Sequence, residues 1–174
     1  MAKELSKSKL KTKFISFHNY FNLFGKEIKN YLIGKRKFPP QTIHCLLSAN
    51  RWEKLNYIKK ALEKNSVVIM NRYYHSNLVY GVVNGMKLSW LENLDNGLPK
   101  ADLVILLDVT QKESFSRKNK KRDQFEKNKS FSQKISLEYK KMAKKKKWKI
   151  INALQSKEDV HKEIMKLFAK KIGI

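Results

Sequence analysis

Four arginines stand where their chemistry could be used. Arg51 falls four residues after Leu47 and four before Leu55. In a helix that spacing sets its guanidinium on or beside an apolar face. Arg72 follows directly on Val67, Val68, Ile69 and Met70, with Tyr73, Tyr74, His75 and Ser76 behind it. Arg117 and Arg122 lie in a lysine-rich stretch further on. A guanidinium stays charged and bonds two oxygens at once, which suits phosphate. Phosphoryl transfer is a reaction in which a protein mostly positions groups and neutralises charge. The bland readings stay open: Arg51 could snorkel from the edge of its stripe, and Arg72 could sit solvated in a surface loop. Nothing points to a metal. His18, His44, His75 and His161 are scattered without ligand spacing, and the single Cys45 allows neither an internal disulfide nor a cysteine-based zinc site.

The elements that must hold these arginines can be read from the apolar pattern. Val67–Met70 is an unbroken apolar run with three β-branched residues, and Leu103–Val109 is a second apolar stretch with Asp108 near its carboxyl end. Both read as strands buried on two faces, the kind found in parallel sheets. Ligands of open α/β sheets bind just beyond the carboxyl ends of such strands, which is where Arg72 falls. Lys13–Phe17 and Trp148–Ala153 read as two more strands. Helical spacing predicts a helix ending near Gly34, a long one over Gln41–Lys64, another over Asn77–Leu94 and a last one over Lys157–Lys170. Cys45 is expected in the core. Strands alternating with helices predict an α/β fold, a three-layer parallel sheet flanked by helices. A length of 174 residues fits one domain, 1–174.

The charge balance is far from even, with 39 Lys+Arg against 15 Asp+Glu and a net charge of +24. Such a chain is drawn to polyanions and phosphates. Lys112–Lys129 holds eight Lys/Arg against three Asp/Glu and is expected to carry a mobile basic loop around Asn119. Lys140–Lys149 has seven lysines and no acid and reads as a solvated helix end. Without aromatics interleaved on the basic runs, a single-strand nucleic-acid platform is not favoured. No run approaches 18 apolar residues, and Met1–Lys13 has no apolar leader core, so no membrane span is predicted and the expected location is the cytoplasm.

Four segments in register carry a resemblance. LLSANRWE (Leu46–Glu53), VVIMNRYYHSNLVYG (Val67–Gly81), GLPKADLVILLDV (Gly97–Val109) and RDQFE (Arg122–Glu126) resemble, in order and spacing, the thymidylate kinases, which are P-loop nucleoside monophosphate kinases. The resemblance implies phosphorylation of dTMP to dTDP with ATP and Mg²⁺. It implies that Arg51 holds the thymine edge and that Leu47 covers the base where many members stack an aromatic. Arg72 would bind the acceptor phosphate, Tyr80 would stand beside the sugar, and Phe17 and Phe125 would pack around the nucleoside. Arg117 and Arg122 match a catalytic lid of about 112–129 that closes over the ATP phosphates. The family often dimerises, and a homodimer is compatible with the apolar stripes.

The chain also departs from the family pattern. Asn71-Arg72-Tyr73 stands for Asp-Arg-Tyr, so a carboxylate near the metal is lost. Phe17-His18-Asn19-Tyr20 stands for Phe-Pro-x-Arg, so Tyr20 replaces a phosphate arginine. Gln124 replaces a lid arginine. No G-x-x-x-x-G-K-[ST] loop is found in the sequence, which leaves the ATP-binding residues unknown. The central first strand that precedes this loop in the family is expected to be missing between the strands at Val67 and Leu103. The chain as written is therefore expected to be impaired in catalysis. Two other readings are a non-catalytic dTMP-binding pseudo-kinase and a basic nucleic-acid-binding protein.

Overall fold

The structure, a computed structural model, describes residues 10–65, 67–110, 113 and 128–173. Two compact units divide between Pro99 and Lys100.

The first unit begins with strand β1 (Thr12–Ser16), then helices α1 (Leu23–Leu32), α2 (Pro40–Trp52) and α3 (Leu55–Lys64). Strand β2 (Val67–Asn71) follows, and helices α4 (Tyr74–Val83) and α5 (Leu88–Leu94) complete it. β1 and β2 pair in parallel, in a register running from Thr12 opposite Val67 to Ser16 opposite Asn71. Ile15, Phe17, Ile58, Ala61, Tyr73 and Leu98 form the buried core, with Val68 and Met70 packed against it.

The second unit holds β3 (Ile105–Asp108), α6 (Lys129–Lys145), β4 (Lys149–Asn152) and α7 (Lys157–Ile172). β3 and β4 are parallel, with Ile105 opposite Lys149 and Asp108 opposite Asn152. Its buried side chains are Ile135, Met142, Ala143, Ile151 and Ala153. Lys140 reaches back to Asp108 at 2.8 Å.

The parallel α/β character matches the sequence reading, and three details correct it. Val67–Met70 and Ile105–Leu106 are only half-buried, and Leu107 is exposed. Among the described residues each strand has one paired neighbour, so every pair keeps an open edge and neither apolar run is enclosed as expected. Cys45 is exposed, because α2 turns Ile43, His44 and Ser48 inward instead. The two long helices are each divided. One breaks at Glu53–Lys54, where Lys54 N–H bonds the Arg51 carbonyl at 3.0 Å in a tighter turn. No glycine or proline marks that break, so the apolar spacing runs through it unchanged. The other breaks at Gly85, whose φ of +84° is a conformation that favours glycine.

Candidate functional site

Arg51 is the largest fully buried side chain, at 1% exposure. A buried cation needs a partner, and Asp95, just past the end of α5, supplies it. Nε donates to Asp95 Oδ1 at 2.9 Å and Nη2 to Oδ2 at 2.7 Å. This side-on fork leaves Nη1 with no hydrogen-bond partner among the described residues. Ser48 Oγ, one turn earlier on α2, lies 2.9 Å from Asp95 Oδ1 and 2.8 Å from the Leu94 carbonyl. Trp52 Nε1 donates to the same carbonyl at 2.7 Å. Three side chains from little more than one turn of α2 thus grip the end of α5.

A second polar lock joins α2 to α4. His44 Nδ1 lies 2.5 Å from Asn77 Oδ1, and the Asn77 amide donates to the His44 carbonyl at 3.3 Å. Asn84 lies 3.2 Å from His44 Nε2. Burial is the main force holding His44 below its ordinary pKa; the Asn77 bond opposes it and the Arg51 charge adds to it. Tyr80 lies between Asn77 and Asn84 on this helix and is half-buried. Leu47, half-buried, sits one turn before Arg51 on α2.

The segment after β1 runs between the carboxyl end of β2 and α2. Phe17 N–H donates to the Asn71 carbonyl at 3.0 Å. Asn19 exchanges two bonds with the fully buried Asn50: its N–H donates to Oδ1, and its carbonyl accepts from Nδ2, each at 3.2 Å. Asn50 also donates to Asn22 Oδ1, which caps α1 by accepting from Gly25 N–H at 2.8 Å. Gly25 is required here, since a Cβ would collide with the Asn19 carbonyl. The Phe17–His18 peptide is cis.

Arg72 closes β2 with a φ of +56°, the left-handed region that a non-glycine residue rarely occupies. Such conformations concentrate at functional sites. Its side chain is exposed. Asn71, in the place of the family's carboxylate, donates to Ser16 Oγ at 3.2 Å. Phe17 is buried against Tyr73, ring centroids 5.6 Å apart. Burial, then the charges of Arg51 and Arg72, lower the pKa of His18 to about 4.

Leu47, Arg51, Arg72, Tyr80 and Phe17 all fall in the first unit, and Phe17 lies within its core. Arg117, Arg122, Phe125 and nearly all of the lid lie outside the described residues. Sequence reading missed Asp95, Asn50 and the His44–Asn77 pair. Asp95 did carry a signal. It follows Leu91 and Leu94, and a buried arginine calls for a carboxylate set in just such apolar company. Among the described residues no cluster of three or more His, Cys, Asp or Glu could hold a metal. No helix there is long and apolar enough to cross a membrane.

Parallel strands flanked by helices, with one arginine locked on a helix face and another at a strand's carboxyl end, define a nucleotide-binding α/β protein of the phosphotransferase kind. Comparison with known proteins narrows this. The family model described as thymidylate kinase matches residues 1–164. A solved thymidylate kinase from Candida albicans is similar in fold, with a TM-score of 0.80 and 24% identity over 96% of this chain and 84% of that one. The chain belongs to the thymidylate kinase family, whose reaction is the phosphorylation of dTMP.

Proposed function

We propose that the first unit is the acceptor half of a dTMP kinase and that the phosphoryl donor is ATP with Mg²⁺. Arg51 holds the thymine edge, Leu47 covers the base, Tyr80 stands beside the sugar, and Arg72 takes the phosphate. Phe17 backs the nucleoside from the core, with Phe125 on the lid side. Arg117 and Arg122 act on the ATP phosphates from the lid of about 112–129. Magnesium, when bound, neutralises phosphate charge. The described residues include no carboxylate cluster for the ion, and Asn71 offers an amide where the family pattern has a carboxylate.

The observation that carries the reading is the Arg51–Asp95 fork. Its carboxylate fixes the guanidinium plane and leaves one nitrogen for a ligand, so the donor is oriented before binding. Arg72 supplies the complementary charge for a phosphate monoester.

Calorimetric titration with dTMP tests this. We expect a Kd between about 1 μM and 1 mM, the ordinary range for a kinase substrate. Arg72→Ala should weaken dTMP about ten- to hundred-fold, the worth of a charge-assisted bond. Binding that Arg72→Ala leaves unchanged would refute the assignment.

A further inference from the structure

Two buried polar atoms beside this site have no hydrogen-bond partner among the described residues: His18 Nδ1 and Tyr73 Oη. Tyr73 is 5% exposed. Buried polar groups in folded proteins are almost always satisfied, so an orphan pair next to a binding site calls for an explanation. A ligand that completes them is one.

The backbone on both sides of His18 is held in place. Its neighbour Phe17 is tied to the Asn71 carbonyl, and Asn19 is tied twice to Asn50, the residue before Arg51. Its ring also lies near Tyr20, centroids 6.3 Å apart. The backbone that carries the imidazole is therefore held between the residue that precedes Arg51 and the residue that precedes Arg72. Of the two anchors, the one beside Arg51 is the doubled one. Arg51 in turn has Nη1 without a hydrogen-bond partner among the described residues, and its charge is already matched by Asp95. His18 feels the Arg51 charge more than the Arg72 charge, and a neutral hydrogen-bonding group on the Arg51 side suits a polar, uncharged ligand edge better than a second anion.

We infer that His18 is a specificity-determining contact of the acceptor site, hydrogen-bonding through Nδ1 to the base end of a pyrimidine deoxynucleotide beside Arg51. The inference rests on the acceptor-site reading above. It adds a group where the family pattern has a proline, which can make no such bond. Its low pKa agrees: His18 is neutral at physiological pH, able either to donate or to accept at Nδ1 according to tautomer. Tyr73, buried behind Phe17, is the second group left to be completed.

The test titrates dTMP and thymidine, which lacks the phosphate, into the full chain and into His18→Ala, His18→Asn and Arg72→Ala. Asparagine places an amide close to where Nδ1 stands. We expect His18→Ala to weaken both ligands by a similar factor, about tenfold, and His18→Asn to stay within about threefold of the parent. Arg72→Ala should weaken dTMP and leave thymidine nearly unchanged. Unaltered affinities in His18→Ala would mean that water satisfies the nitrogen, and the inference would fall alone. A loss confined to dTMP would move His18 to the phosphate and overturn the base-end assignment. A loss that asparagine does not restore would mark a packing role and overturn it too. If the parent binds no dTMP, the acceptor-site reading itself fails, and this inference with it. Should His18→Ala not fold, the unmutated protein still decides: the ¹⁵N resonance of His18 Nδ1 must shift when thymidine is added, and no shift overturns the contact.

Discussion

The α2 face that carries Arg51 and the carboxyl end of β2 that carries Arg72 solve opposite problems. On α2 every charge is matched within the protein. Arg51 is locked by Asp95, His44 by two asparagines, and Asn50 by the backbone of the incoming loop. At the end of β2 the backbone is strained, Arg72 is exposed, and Tyr73 keeps an orphan atom. One region fixes its arginine in the interior before any ligand arrives; the other holds its arginine at the surface. On the acceptor-site reading proposed above, the difference follows from what each binds. A planar base edge rewards donors fixed in direction, since orientation is set in advance. A dianionic phosphate rewards exposed charge, because a cation buried there without its ligand would be costly.

The comparison breaks most directly at Asp95. Asp95→Ala leaves a guanidinium buried and unmatched, which costs about 3–5 kcal/mol. Urea unfolding should show that loss, and the double variant Arg51→Met with Asp95→Leu should recover most of it. A loss under about 1 kcal/mol would mean that the pair relaxes to solvent and that α2 fixes its arginine no better than β2 does. Next in size is Asn77→Ala, which strips partners from the His44 ring and its carbonyl. The cost expected for unsatisfied buried groups is about 1–3 kcal/mol. If unfolding shows no change, water replaces Asn77 and the α2–α4 lock is not a lock.

Much of this was legible in the sequence, for physical reasons that can be named. Val67–Asn71 ending in Arg72 was readable because a β-branched run and a following charge are local properties. Arg51 on an apolar face was readable because helical spacing is local too. The locks were not. Asp95 lies 44 residues from Arg51, and His44 lies 33 from Asn77. Pairings over such distances are decided by how helices pack. The breaks at Glu53–Lys54 and Gly85 show the same division. Gly85 is visible as a glycine. The break after Trp52 falls beside two side chains held by Leu94 and Asp95, contacts that no residue type in the helix announces. The burial of the two apolar strands was overread because periodicity reports what a strand could bury, and not how many neighbours it has.

Acid sharpens the contrast on a gentler scale. His18 and His44 both have native pKa values lowered by burial, His18 to about 4 from 6.5. Below pH 6.5 the unfolded chain therefore binds more protons at these sites than the native one. Stability should be level above that pH and fall as pH drops from 6.5 toward 4, by no more than about 1.4 kcal/mol per pH unit for each histidine. Unfolding midpoints measured from pH 7.5 to 4.5 check this, and His18→Asn should remove one part of the slope. If the midpoints do not fall, both rings are already charged in the native state and the α2 lock is differently made.

The smallest effect belongs to Arg72, and its sign matters more than its size. A left-handed backbone costs a side-chain-bearing residue about 1–2 kcal/mol, and glycine adopts it freely. Arg72→Gly should relieve that strain while giving the unfolded chain more freedom to lose, so the net gain is expected at no more than about 1 kcal/mol. The same change should weaken dTMP at least as much as Arg72→Ala does. A variant more stable and less able to bind is what a strained, ligand-binding strand end predicts. A loss of stability instead would mean that the contacts of the Arg72 side chain outweigh the backbone strain, and the distinction between the two regions would have to be redrawn.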